Sequence, residues 1–347
     1  MKAPTPKELG YHMPAEWEPH EATWLAWPHM RYARYWGDNL EPVQDISLQI
    51  IKALYRRESV HLMVVDEAME KEVRKKAGKA KIPLEHVVFY EIPTIDVWTR
   101  DHGPIFVINR GKQDVAITHW LFNGWGNKYP DLMPDTMVPA KIHEVTQIPY
   151  FSGGMVLEGG SIEVNGQGVL LTTKQCLLNK NRNPYLKKPD IENKLKDYLG
   201  VKNIVWLNHG LVNDDTDGHI DNLARFISAD AVAVPYEWDA KDDNYASLNE
   251  NYEILKKTSK VFIYKLPTPG YIADNGKRLA ASYANFYIAN NAVLLPVFGN
   301  KRNDRQAKDV LENLFPDRKI ILINCLPLIK SGGTIHCITQ QQPKGSK

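Results

Sequence analysis

Cysteine is scarce in this 347-residue chain: Cys176, Cys325 and Cys337, with no Cys-x-x-Cys pair. So sparse and odd a set excludes a disulfide framework and a cysteine zinc site, and it leads us to expect a reducing, cytoplasmic setting. Long apolar runs are missing as well. None approaches the ~20 residues that span a bilayer. The opening MKAPTPKELGYHMPAEW has no apolar stretch of the kind a secretory signal carries, so neither membrane association nor export is expected. Charge of one sign does not dominate: the net charge is +2, with no basic stripe or polybasic tail, so no nucleic-acid partner is expected. The basic stretch KEVRKKAGKAK at 71–81 reads as a solvated helix face. Nor does any Pro/Gly/Ser-rich linker divide the chain, which is read as a single catalytic domain over residues 1–347. Only the tail QQQPKGSK reads as loose.

What is there is a soluble composition, 43% apolar and 24% charged, and a recurring pattern. Four segments read as β-hairpins, 104–120, 161–173, 223–236 and 285–297, turning at NRGKQD, NGQG, SAD and Asn290-Asn291. Their starts are about 60 residues apart. Helical spacing of apolar residues marks 43–57, 189–200, 244–259 and 303–315. Short strands follow at 60–65, 204–207, 261–266 and 320–325. The unit is therefore hairpin, helix, strand. Four copies, and a fifth assembled from ATWLAWP (22–28) and HCITQ (336–340), account for the chain. The expected fold class is α/β, with radial repetition of five modules as in a propeller. An open doubly-wound sheet is the alternative.

Reactive residues recur at one place in this unit. Asp101 precedes the first hairpin, Glu158 the second, and His219 and Asp221 the third, while Cys337 falls in the fifth unit. Radial packing would bring them together. In His219-Ile220-Asp221, strand alternation would aim the His and the Asp into one pocket. In GGTIHC, Gly332 and Gly333 permit close backbone approach before a strand that carries Cys337. A free thiol has a pKa of ~8.5, so an imidazolium or a cationic substrate is needed to make it a nucleophile. Cys325 and Cys176 read as inert core residues. His336, alternating with Cys337 along that strand, should face away from it and is taken as structural. In DVWTRDHGP, Asp101 and Trp98 offer what a guanidinium needs, a carboxylate and a π-face. Asp96 is a weaker second acid. Taken singly, each residue has a plainer explanation: Asp101 an ion pair with Arg100, Trp98 core, Glu158 a turn. A guanidinium is planar and resonance-stabilised. A Cys to attack it, a His to protonate the departing nitrogen and acids to hold it form one set. No metal or cofactor is required.

The blocks MPAEWEPHEATWLAWPH (13–29), WTRDHGP (98–104), EGGS (158–161), DTDGHIDN (215–222), ASYANFYIAN (281–290) and GGTIHCITQQQP (332–343) resemble those of agmatine deiminases and the related bacterial peptidylarginine-deiminase-like proteins. The resemblance runs over essentially the whole chain. It implies the five-fold pseudosymmetric α/β propeller (pentein) of the guanidine-modifying enzymes. It also implies Cys337 as nucleophile, His219 as acid–base, and Asp101 and Asp221 as the acids gripping the guanidinium. Glu158 is implied as the acid beside the His, and Trp98 as a pocket residue. The implied reaction is hydrolysis of agmatine to N-carbamoylputrescine and ammonia. Rival expectations are another guanidine substrate (free or peptidyl arginine), amidino transfer, a non-catalytic binding module on the same fold, and a cysteine protease. Family members often associate, which leaves a homo-oligomer open, although no interface signature stands out.

Overall fold

The computed structural model describes residues 3–32, 36–258 and 260–345. Its strands pair into five sheets of three or four strands, plus one small hairpin at 273–278. Four sheets share one plan, an antiparallel pair followed by a helix and a parallel third strand. In the first, Ile105–Asn109 pairs with Asp114–Leu121, and Tyr150–Val156 joins after the helix Val138–Thr146. The second uses Glu163–Val164, Val169–Thr173 and Asn203–Leu207 with the helix Lys188–Leu199. The third uses Arg225–Ser228, Ala231–Pro235 and Phe262–Leu266 with Tyr245–Thr258. The fourth uses Tyr287–Ala289, Ala292–Val297 and Lys319–Asn324 with Lys301–Leu314.

The fifth sheet joins the two ends of the chain. His20–Ala26 pairs antiparallel with Gln340–Pro343 and parallel with Ser59–Val64, reached through the helix Leu40–Leu54. A fourth strand, Val87–Glu91, follows the helix Glu67–Lys79 and was not anticipated. The tail expectation is thus corrected. Gln340–Pro343 is a largely buried strand, tied down by Trp24 Nε1 donating to Gln342 Oε1 at 2.9 Å and by Gln340 Nε2 donating to the Pro104 carbonyl at 2.6 Å. Residues 1–2 of the opening segment, residues 33–35, residue 259 of the expected helix 244–259 and the last two residues of the tail lie outside the described residues. The sheets are separate, so the open doubly-wound alternative does not hold among the described residues.

Local chemistry explains the units. Asn291 sits at φ 56° in the fourth hairpin's two-residue turn, a conformation asparagine tolerates. The helix Leu40–Leu54 buries Val43, Ile46, Ile50, Ile51 and Leu54, one stripe at helical spacing. The strand Ala292–Val297 is buried on both faces over five residues and accordingly reads as an unbroken apolar run. Such side chains contribute roughly 1.5–3 kcal/mol each on burial. Among the described residues no helix is long and apolar enough to cross a membrane.

Candidate active site

The reactive residues lie on short irregular pieces that precede sheet strands. Asp101 is in the single helical turn Thr99–His102, Glu158 just before the 3₁₀ turn Gly159–Ser161, His219 and Asp221 at the turn Ile220–Asn222, and Cys337 within the turn His336–Ile338. Two local expectations are corrected here. His219 and Asp221 do not alternate on a strand, and Cys337 is not a strand residue, because the strand starts at Gln340. Backbone folded back in tight turns has no strand alternation, so the argument that turned His336 away from its neighbour loses its basis.

The side chains nevertheless meet, around a glycine. A Cβ on Gly160 would fall 2.6 Å from His219 Nδ1, 2.8 Å from Asp101 Oδ1 and 3.0 Å from Asp221 Oδ2. Only a residue with no side chain lets the three groups converge. Gly333 does the same on the other side. A Cβ there would lie 2.4 Å from Trp98 Cζ3 and 3.1 Å from Cys337 Sγ, while Gly332 takes φ 108°. Asp101 accepts from Trp125 Nε1 at 2.9 Å and the Gly160 N–H at 3.1 Å. Its Oδ1 lies 3.6 Å from His219 Nδ1, near enough for charge attraction but too far for a hydrogen bond. Arg100 does not pair with Asp101; it turns to Glu16 and Gln341. Cys337 Sγ lies 3.9 Å from Asp221 Oδ2 and 3.3 Å from Asn285 Nδ2. Trp98, Asp101 and Cys337 face a cavity of about 440 Å³, as do Asp96, Trp125 and Asp215.

Burial drives the electrostatics. It raises the Asp101 carboxyl to about 6, with Asp221 and Glu158 adding to the rise and His219 opposing it. It raises Asp96 to about 7, with Asp135 contributing. Asp96 spends its oxygens on the Val97 N–H and Trp98 Nε1, so it fixes the indole's position. Asp221 goes the other way: burial is outweighed by its hydrogen bond to His336 and the charge of His336 and His219, and its carboxyl is held below the ordinary range. For His219, burial is outweighed by Asp101, Cys176 and Glu158, which raise the imidazole well above its usual value. Burial, then Asp221 and Asp101, push the Cys337 thiol well up.

Several members of the site were not singled out from the sequence. Cys176, read there as inert, sits with Glu158 behind His219: ligating-type atoms of the three lie within 4.8 Å of one another. Glu158 accepts from Arg182 Nε at 2.6 Å, and that guanidinium also holds Asp217. Asn285, Trp125, Glu16 and His336 were likewise passed over as partners. Asn285 stands inside a quoted block, but nothing in a single sequence says that it meets a cysteine 52 positions away.

A buried thiol near two buried carboxylates, facing a cavity walled by indoles, defines a cysteine site suited to a small planar cation. The chain matches the Porphyromonas-type peptidyl-arginine deiminase family over residues 12–343, and it belongs to that family. It is 40% identical over 375 residues to the agmatine deiminase of Medicago truncatula, covering 98% of each chain. With the agmatine deiminase of Stutzerimonas stutzeri (strain A1501) it shares 38% over 369 residues, 98% of this chain and 97% of that one. Among solved structures it is similar to the agmatine deiminase of Enterococcus faecalis, with a TM-score of 0.91, 34% identity, and coverage of 100% of this chain and 99% of that one. A C. jejuni agmatine deiminase with substrate bound gives a TM-score of 0.88 at 34% identity, covering 97% of both chains.

Proposed function

We infer that this protein is an agmatine deiminase, a hydrolase that converts agmatine and water to N-carbamoylputrescine and ammonia. The observation that carries the reading is the placing of the Cys337 thiol between two buried acids at the end of an indole-walled cavity. The full-length relationship to agmatine deiminases supports it.

Asp101 and Asp221 hold the guanidinium while Trp98 and Trp125 wall it. The bound cation offsets the two carboxylates that hold the thiol protonated in the empty site, so substrate entry itself favours the thiolate, the thiol proton passing to solvent and returning to sulfur when the ureido product leaves. Sγ then attacks the guanidinium carbon. The protonated His219 gives its proton to one terminal nitrogen, the C–N bond breaks, and ammonia leaves an amidino-thioether. Neutral His219 next takes a proton from water, whose oxygen attacks the same carbon. The C–S bond breaks, and the ureido product leaves. Glu158, clamped by Arg182, and Cys176 support the imidazole from behind. Beyond the indoles the wall carries Asp215, which accepts from the Tyr129 hydroxyl at 3.2 Å. The same wall carries Arg278, engaged by Asp242, Lys330, engaged by Asp274, and Lys277. An acid at this end suits the terminal ammonium of agmatine and disfavours the carboxylate of arginine.

The same reading takes the five sheets as modules set radially in one propeller domain. It places the chain in the cytoplasm, a setting supported by three free, buried cysteines. The test is ureido product and ammonia formed from agmatine, arginine and a peptidyl arginine, each with the protein and with Cys337→Ala. Agmatine turnover that vanishes in Cys337→Ala is expected. Preference for either arginine form would replace the substrate, and turnover surviving Cys337→Ala would sink the mechanism.

A further inference from the structure

His336 stands between two buried carboxylates. Its Nδ1 lies 2.8 Å from Asp221 Oδ2 and its Nε2 lies 2.8 Å from Glu16 Oε2. All three side chains are at most 5% exposed. Each N···O gap of that length needs a proton, and neutral imidazole carries one. The group of three therefore holds two protons: an imidazolium between two carboxylates, or a neutral ring beside a protonated acid.

The neighbours decide between these. Glu16 also accepts from Arg225 Nη2 at 2.7 Å, the Ile288 N–H at 2.8 Å and Arg100 Nη2 at 3.4 Å, so it is surrounded by donors and stays ionised. Glu163, the other acid on Arg225, accepts from Arg225 Nε at 3.0 Å and the Phe226 N–H at 2.8 Å; burial pushes its carboxyl up to about 7, so it is fully charged only above that pH. Above that pH Glu16, Glu163 and Asp221 outnumber Arg100 and Arg225 by one charge in this buried cluster. A protonated His336 balances it. Burial and the two guanidinium groups work against that charge on the ring, yet both acids touching the ring are held below their ordinary range, in part by His336 itself. The three groups titrate as one unit, and the proton belongs where two acceptors already point. The other hydrogen bonds of this residue are made by its backbone, with Asn285, Arg100 and Thr339.

We propose that His336 is a positioning residue of the active site: as an imidazolium anchored by Glu16, it pins Oδ2 of Asp221 and thereby presents Oδ1 to the substrate. Asp221 Oδ1 is buried and has no hydrogen-bond partner among the described residues, as expected of an acceptor kept free for a guanidinium N–H. The idea rests on Asp221 acting as a substrate-holding acid.

The test is His336→Gln. A glutamine amide keeps one donor but turns an oxygen toward the second carboxylate, so Asp221 loses both its counter-charge and its fixed direction. The KM for agmatine should rise about 10-fold or more, the scale of losing a hydrogen bond to a charged group, with a smaller change in kcat. The acidic limb of kcat/KM should also steepen, because Asp221 begins to take up protons alongside Asp101. A purely structural role would lower stability and leave KM and the limb unchanged, which would overturn the proposal. A second measurement needs neither this variant nor turnover. Nitrogen NMR of ¹⁵N-histidine protein carrying His219→Gln should show, besides any signal of His20 (which faces Glu58 and is assigned by its loss in His20→Gln), one buried ring with both nitrogens protonated up to about pH 8. If every buried ring apart from His20 is neutral there, the proton is misplaced and the proposal fails. If that ring is present but Cys337→Ala does not bind agmatine, the relay stands and the substrate reading falls.

Discussion

Asp101 and Asp221 are both buried and converge on Gly160, yet their chemistry diverges. Asp101 is held by neutral donors, the Trp125 indole and a backbone N–H, and its carboxyl rises to about 6. Asp221 is held by the His336 ring, and its carboxyl falls below the ordinary range. Burial alone raises a buried acid; a charged partner reverses the sign. In the empty enzyme, then, one acid is nearly poised to be neutral near pH 6, while the other stays an anion at any working pH. The pair resembles a fixed post facing an adjustable one.

The largest break of this asymmetry comes from replacing each acid by its amide. Asp221→Asn removes the permanent anion and leaves the His336 charge without its partner, so kcat/KM for agmatine should fall on the order of 10³-fold. Asp101→Asn should cost less, on the order of 10²-fold, because its carboxylate is the less committed of the two. Equal losses in steady-state assays would mean that the two acids are equivalent after all.

Stability should separate them with opposite sign. The folded value of Asp101 lies above its ordinary 3.8, so its ionised form costs stability at neutral pH, and that cost is relieved as pH falls through about 6. The folded value of Asp221 lies below 3.8; its contribution is present above the ordinary value and lost as pH falls through the lowered one. At pH 8, Asp101→Asn should therefore stabilise the empty protein by about 1–3 kcal/mol and Asp221→Asn destabilise it, read from denaturant midpoints. The same contrast gives kcat/KM an acidic limb near pH 6 that Asp101→Asn removes. A limb that persists in Asp101→Asn belongs to another group. The smallest effect is expected at the cavity's outer end, where Asp215→Asn should raise the KM for agmatine several-fold at nearly constant kcat. An unchanged KM there would free Asp215 of any part in holding the ammonium.

Much of this was legible in the chain. The four hairpins, and the helices and strands that follow the last three of them, fall within a few residues of their expected positions, because turn chemistry and apolar spacing are local signals; the helix Val138–Thr146 and the strand Tyr150–Val156 after the first hairpin were missed. The convergence of Asp101, His219, Asp221 and Cys337 could be anticipated from their equivalent places in the repeat, even though the strand geometry assumed for two of them was wrong. What escaped was the second layer of contacts. Glu16 and His336 are 320 positions apart, Cys176 reaches His219 from the neighbouring module, and Trp125 donates to an acid 24 residues before it. No periodicity encodes such meetings, which depend on how modules are set against one another. The buried tail escaped for the same reason: QQQP is polar, and only its pairing with His20–Ala26 makes it a strand.

That pairing has a consequence for how the molecule comes into being. Three residues after the nucleophile, the chain supplies the missing edge of a sheet whose first strand was made more than three hundred residues earlier. While the protein is being synthesised, His20–Ala26 waits with one side unpaired, and neither Cys337 nor His336 exists to meet its acids. A chain that ends short of the final strand lacks both the nucleophile's module edge and the partner of His20–Ala26. The reactive thiol thus arrives in the same closing step that buries it.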